Sequence, residues 1–107
     1  MPLVPTGFVS QAELDAEVHR AISQLGADVV RVRYGIGQDS GGDAALYFRI
    51  VLADRVVRPR EMLRDTTQRI SSALMDDLYP YSRWGLIPYF NFRSESEQAT
   101  RHEPEWS

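Results

Sequence analysis

Three arginines, Arg31, Arg33 and Arg49, each lie between two apolar or aromatic neighbours, in two segments of the chain. The apolar runs Val29–Ile36 and Ala44–Leu52 flank a turn-forming segment, which is the pattern of an antiparallel hairpin. Because alternate residues of a strand point to opposite faces, we expect the three guanidinium groups to share the face turned away from the core. Guanidinium groups bind carboxylates and phosphates in bidentate fashion and stack on aromatic rings.

A third alternating run, Leu86–Arg93, extends this face. The predicted interaction face consists of Arg31, Arg33, Tyr47, Arg49, Tyr89, Asn91 and Arg93. Tyrosine and arginine are enriched in protein interfaces, and the same residue types bind single-stranded nucleic acid by stacking on bases and holding phosphates. A solvated face, on which arginine stems cover apolar sheet surface, is a third interpretation. The formal net charge of -3 disfavours nucleic acid.

The densest aromatic stretch, residues 79–84, leads into the third run. Its Trp84 is preceded by Arg83 and followed by a glycine. The indole is either part of the edge of the core or an exposed anchor for a partner, since tryptophan and arginine are common anchors of interfaces. Arg83 and Trp84 are therefore a second candidate contact.

Other residue types give no catalytic pattern. The glycines near the hairpin turn precede a strand, whereas a phosphate-binding loop requires a helix there. Asp39 and Asp43 lie in the turn, where they either cap the backbone or bind a cation. His19 and His102 lack the spacing of a metal pair, and the chain has no cysteine. We predict no catalytic residue, metal or cofactor, although an enzyme pocket between the sheet and the 79–85 loop stays open.

Two helices are expected beside the strands. The first begins at Ser10, where Ser10 and Glu13 fit a capping box, and it ends at Gly26. The second begins near Pro59 and ends at Pro80, since proline is tolerated in a first turn but stops a helix interior. Proline within the third run makes that strand an edge strand or a bulged one.

The element order α-β-β-α-β predicts an α+β fold. We expect a two-layer sandwich with a three-stranded mixed sheet and two helices on one face. The apolar sides of the hairpin should form its core: Val30, Val32, Tyr34, Ile36, Leu46, Phe48, Ile50 and Leu52. This order resembles that of type II KH-like modules and of the cytosolic domains of cation-efflux transporters. The glycine turn of the first and the histidines of the second are absent, so the resemblance is architectural and implies no function.

The length of 107 residues fits one domain. We expect an extended arm at 1–9, a single domain at 10–93 and a polar tail at 94–107, in which residues 95–101 could form a short helix. Trp106 could anchor this tail to the body or to a partner. No apolar run is long enough to span a membrane, and a chain without cysteine fits the cytoplasm.

These observations predict a small non-enzymatic interaction module. Its partner would be a second copy of the chain or another protein, which makes it a homodimer or a subunit of a larger assembly. The contacts would be the arginine and tyrosine face and the edge of the third strand. The alternative is an RNA or single-stranded nucleic-acid binding domain that uses the same face.

Overall fold

The computed structural model describes residues 11–101 and 103–106. The elements in chain order are α1 (Gln11–Ser23), β1 (Val29–Gln38), β2 (Ala44–Leu52), the 3-10 turn η1 (Asp54–Val56), α2 (Arg60–Leu78), α3 (Pro80–Trp84), β3 (Ile87–Ser94), α4 (Glu95–Arg101) and the 3-10 turn η2 (Pro104–Trp106). The predicted arm at 1–9 and the capping residue Ser10 lie outside the described residues. The α+β class and the order α-β-β-α-β of the principal elements are confirmed.

The sheet has the strand order β1–β2–β3. β2 pairs antiparallel with β1 and parallel with β3, so the predicted hairpin and the mixed sheet are both confirmed. The parallel pair needs a crossover connection, which α2 supplies. Within the described residues, β1 and β3 each pair with β2 along one side, and Pro88 therefore lies in an edge strand, as expected.

The core lies against the even-numbered side of β2. Leu46, Phe48 and Ile50 are fully buried there. The same hydrophobic cluster includes three residues of α1 and three of α2: Leu14, Val18, Ala21, Ile70, Leu74 and Leu78. Each side chain of this size contributes about 1.5–3 kcal/mol when it leaves water, so docking of both helices stabilises the sheet.

Tyr34 joins β1 to α1. Its hydroxyl donates a hydrogen bond to Asp15 Oδ1 at 2.7 Å, which satisfies the polar end of a side chain whose ring packs against the core. Burial and this hydrogen bond raise the pKa of Tyr34 above its usual range.

One expected core residue is wrong because β1 contains a bulge. The pairing passes from Val29 opposite Leu52 to Arg31 opposite Val51, so Val30 has no partner on β2. Val30 is 45% exposed, and Val29 packs against the core in its place. One extra residue in a strand reverses the alternation before the bulge, here at Val29, while the residues after it, from Arg31 onward, keep the predicted faces.

Within residues 79–85, where we expected a loop, Pro80–Trp84 form the short helix α3. Tyr79 adopts the left-handed conformation with a φ of 45° and ends α2, and Pro80 begins α3. Proline suits this first helical position because its missing N–H would have no helical acceptor. Of the helices in the described part of the chain, none has the length and apolar character needed to cross a membrane.

Candidate interaction face

The strand pairing places all seven predicted face residues on the side of the sheet opposite the hydrophobic cluster. They fall in three rows that run across the strands: Arg31–Val51–Arg93, Arg33–Arg49–Asn91 and Gly35–Tyr47–Tyr89. We call this side of the sheet the open face. The predicted phases of the three strands are therefore correct for these residues, and the arginines gather in two adjacent rows.

In the Arg33–Arg49–Asn91 row, two positive charges lie directly opposite each other. Arg33 and Arg49 are direct cross-strand partners, and Arg33 is exposed while Arg49 is partly buried. Like charges in this position destabilise a sheet by an amount of the order of a cross-strand pair, about 0.2–1 kcal/mol. Within the described residues, neither guanidinium has an ion pair, although five other arginines do. This row can therefore accept an anionic group from outside.

Two stacked tyrosines form the next row. The rings of Tyr47 and Tyr89 lie 5.3 Å apart with an interplanar angle of 19°. The Tyr47 hydroxyl donates to the carbonyl of Gln38 at 2.8 Å. A Cβ atom at Gly37 would lie 3.1 Å from the Tyr47 ring, so glycine there leaves room for the ring to lie over β1. The pair gives the face a fixed aromatic step.

Asp39 holds the hairpin turn and the second tyrosine together. Its Oδ1 accepts hydrogen bonds from the N–H groups of Gly41 and Asp43, each at 2.9 Å. Its Oδ2 accepts from the hydroxyl of Tyr89 at 2.9 Å. The Asp43 N–H and the Tyr89 hydroxyl hold the pKa of Asp39 below its usual value, and the same carboxylate raises the pKa of Tyr89.

Turn capping is thus the role of Asp39 that the structure supports over cation binding. Both of its oxygens are engaged by donors of the chain. In the described part of the chain, no group of three or more histidine, cysteine or acidic side chains could hold a metal ion.

The lowered pKa of Asp39 predicts an acid-sensitive turn. Because the folded-state value lies below the unfolded one, the stabilisation is complete above the unfolded pKa of about 4 and is lost as pH falls through the folded value. Urea unfolding from neutral to acidic pH should show Asp39→Asn less stable than wild type near neutrality, with the difference shrinking below about pH 4. Asp43→Asn controls for loss of charge in the same turn. A difference that stays constant with pH would contradict this role.

The end of the open face is covered by the chain's own C-terminal segment. The Trp106 ring lies over the Arg93 guanidinium at 4.3 Å, and Arg31 Nε donates to the Trp106 carbonyl at 3.0 Å. The Glu103 carboxylate pairs with Arg93. Trp106 is 7% exposed and Val51 is 1% exposed, so the indole belongs to the body of the protein. Of the two roles that the sequence left open for Trp106, the structure places it on the body.

Two caps position this segment. Ser94 and Glu97 form a capping box, in which Ser94 Oγ accepts from the Glu97 N–H and Glu97 Oε1 accepts from the Ser94 N–H. Asp54 accepts from both the N–H and the hydroxyl of Ser96, and these bonds lower the pKa of Asp54. The Ser-x-x-Glu spacing at 94–97 was a sequence signal for the start of a helix within the segment expected to be a polar tail.

The structure corrects the hypothesis that Trp84 is an exposed anchor, because the side chain is buried. It is 5% exposed and belongs to the hydrophobic cluster, and its indole Nε1 is buried without a hydrogen-bond acceptor among residues 11–101 and 103–106. Arg83 lies over the ring at 5.2 Å and pairs with Glu17 at 3.6 Å. The core interpretation of Trp84 is therefore the one that the structure supports, and the ring cannot serve as a surface contact in this fold.

A cavity of about 310 Å³ lies on the helix side of the sheet. It is bounded by the start of α2 and the end of β3, with Leu52, Leu63 and Phe92 among its apolar walls and Arg60 and Arg64 beside them. Apart from Arg93, its lining residues are not those of the open face. The pocket that the sequence left open near 79–85 is a different location.

We compared the chain with models of protein families, with curated proteins and with solved structures, and none of the three comparisons gave a match.

Proposed function

We propose that the chain is a small non-enzymatic protein-interaction module, a homodimer or a subunit of a larger assembly, which contacts its partner through the open face and the edge of β3. The observation that carries the proposal is the Arg33–Arg49 pair. It lies beside the Tyr47 and Tyr89 rings, and no carboxylate of the described residues neutralises it. The cytoplasmic location expected from the sequence is part of the same proposal.

Binding of a partner would relieve an unfavourable contact. Two opposed guanidinium groups raise the free energy of the unbound sheet, and a carboxylate placed between them removes that repulsion. The tyrosine rings are already held by hydrogen bonds to Gln38 and Asp39, so they lose little side-chain freedom on binding. Arginine and tyrosine are also the residue types that most often supply the binding energy of interfaces.

The edge of β3 suits a second copy of the chain better than the open face does. A twofold contact between two open faces would bring two arginine rows towards each other, which costs electrostatic energy. An edge strand presents unpaired backbone groups that another strand can bind. A homodimer would therefore extend the sheet at its edge, and the open face would receive a partner of opposite charge.

The alternative is a domain that binds RNA or single-stranded nucleic acid. The mixture of arginine and tyrosine on a sheet favours it, because rings stack on bases and cations hold phosphates. The net charge of -3 opposes it.

The proposal predicts an assembly that depends on Arg49. The tagged chain, isolated at native expression, should have a mass above that of the monomer by sedimentation velocity, and Arg49→Glu should release the partner bound at the open face. The loss should correspond to about 2 kcal/mol or more, because the substitution places a carboxylate where the partner offers one. The matched control is Arg64→Glu, an exposed arginine on α2.

Three results would decide against the proposal: a monomer in every sample, an assembly with another protein that Arg49→Glu leaves intact, or an assembly whose second component is RNA. The last result would favour the alternative function.

A further inference from the structure

We propose that the Arg33–Arg49–Asn91 row and the stacked rings of Tyr47 and Tyr89 bind an acidic peptide segment that carries an aromatic residue, contributed by a partner protein. This inference rests on the proposed function and specifies the chemistry of the partner at the same face. It follows from the way the chain's own C-terminal segment binds the adjacent row, Arg31–Val51–Arg93.

The C-terminal segment shows which chemistry this surface accepts. Residues 103–106 read Glu-Pro-Glu-Trp, and three kinds of contact hold them to the row Arg31–Val51–Arg93. A carboxylate pairs with Arg93, an indole stacks on the same guanidinium, and Arg31 donates to a main-chain carbonyl. Cation–π and carboxylate contacts to one arginine reinforce each other, since they use its face and its edge.

The adjacent row repeats these donors without an occupant among the described residues. Along each strand it lies two residues from the covered row, a distance of about 7 Å. Arg33 and Arg49 supply two guanidinium groups and Asn91 supplies an amide. The Tyr47 and Tyr89 rings lie one row further on and offer an apolar surface to an aromatic side chain. A short peptide that crosses from the Arg33–Arg49–Asn91 row to the Gly35–Tyr47–Tyr89 row would contact the guanidinium groups with its acidic residues and the tyrosine rings with its aromatic residue.

The carboxylates around this row favour a short acidic peptide over a nucleic acid. Asp39 contacts Tyr89 on one side, and Asp43 is close enough to contribute to the raised pKa of that tyrosine. On the other side, Glu103 already occupies Arg93. A chain of evenly spaced phosphates would pass over these carboxylates, whereas a segment whose charges converge on one row would avoid them.

The test uses the full chain and a defined probe. A fluorescein-labelled, C-terminally amidated peptide Glu-Glu-Glu-Trp is titrated by fluorescence anisotropy, with Gln-Gln-Gln-Trp as the matched neutral peptide. We expect the acidic peptide to bind and the neutral peptide to bind at least about tenfold more weakly. Arg33→Glu and Arg49→Gln should each lower the affinity for the acidic peptide about tenfold. Arg64→Glu should leave its affinity unchanged.

Arg33→Glu separates loss of binding from loss of folding. It replaces a like-charge pair by an opposite-charge pair with Arg49, so its melting temperature should equal or exceed that of wild type. If either variant melts lower, amide shift mapping of the wild-type chain decides. Shifts centred on residues 31–35, 47–51 and 89–93 would support the inference, and shifts centred elsewhere would contradict it.

Equal affinity for the acidic and neutral peptides would overturn the inference. So would wild-type affinity in Arg33→Glu, or tighter binding of an oligo-uridylate RNA than of the acidic peptide. A chain that binds no peptide but still loses its assembly on Arg49→Glu would overturn this inference alone and leave the proposed function in place.

Discussion

Replacing Trp84 by alanine is expected to lower the free energy of unfolding by about 3–5 kcal/mol, the usual cost of truncating a buried tryptophan. The ring is 5% exposed and packs in the same cluster as Leu78 and Leu86. Truncation would leave a cavity beside the short helix α3. Urea unfolding followed by circular dichroism measures the loss.

Trp84→Phe is the matched control. Phenylalanine keeps most of the ring and removes the buried indole N–H, which has no acceptor within the described residues. Removing an unsatisfied donor offsets part of the lost packing, so we expect a decrease of about 1 kcal/mol or less. If Trp84→Ala instead unfolded at the urea concentration of wild type and lost its assembly, the anchor hypothesis would be correct and the buried position wrong.

The parts of the fold that sequence could predict are those set by near neighbours along the chain. The alternation in Ala44–Leu52 fixes which side chains of β2 share a face, because the period of a strand is two. Pro59 and Pro80 mark the start and the end of α2 for reasons confined to the backbone at those residues. The positions of Arg33 and Arg49 on one face followed from these rules alone.

The bulge at Val30 lies beyond such rules. Val29 and Val30 are both apolar, so nothing in their types shows which one turns towards the core. The choice depends on the register with Leu52 and Val51, which is a tertiary property. In the same way, the position of Trp84 depends on how α3 packs against the cluster, and residues 79–85 have no periodicity that could have indicated it.

The docking of the C-terminal segment could not be predicted from the sequence either, although for a different reason. The hydrogen bond between Arg31 and Trp106 joins residues 75 positions apart in the chain. Local propensity gives the helix at 95–101 but carries no information about the surface on which that helix lies. The strand phases placed the seven residues on one side of the sheet, but the sequence alone could not show that the C-terminal segment covers one row of them.

Trp106→Ala should detach this segment and lower the free energy of unfolding by about 2–3 kcal/mol. The variant loses the burial of the indole and its stacking on Arg93. The cost should be smaller than for Trp84 because a segment at the chain end can move away without leaving a cavity in the core. Hydrogen exchange measured by mass spectrometry should show faster exchange in residues 95–106 and unchanged protection in β2.

Glu103→Gln is the control, since it removes one partly exposed ion pair and keeps the indole in place, so a change of about 0–1 kcal/mol is expected. The two variants also differ in what they expose. Release of Trp106 removes the hydrogen bond of Arg31 to its carbonyl and the stacking on Arg93, which opens part of a second arginine row to an acidic segment. The acidic peptide probe should therefore bind Trp106→Ala more tightly than wild type. Unchanged protection of residues 95–106 in that variant would show that the indole does not hold the segment to the sheet.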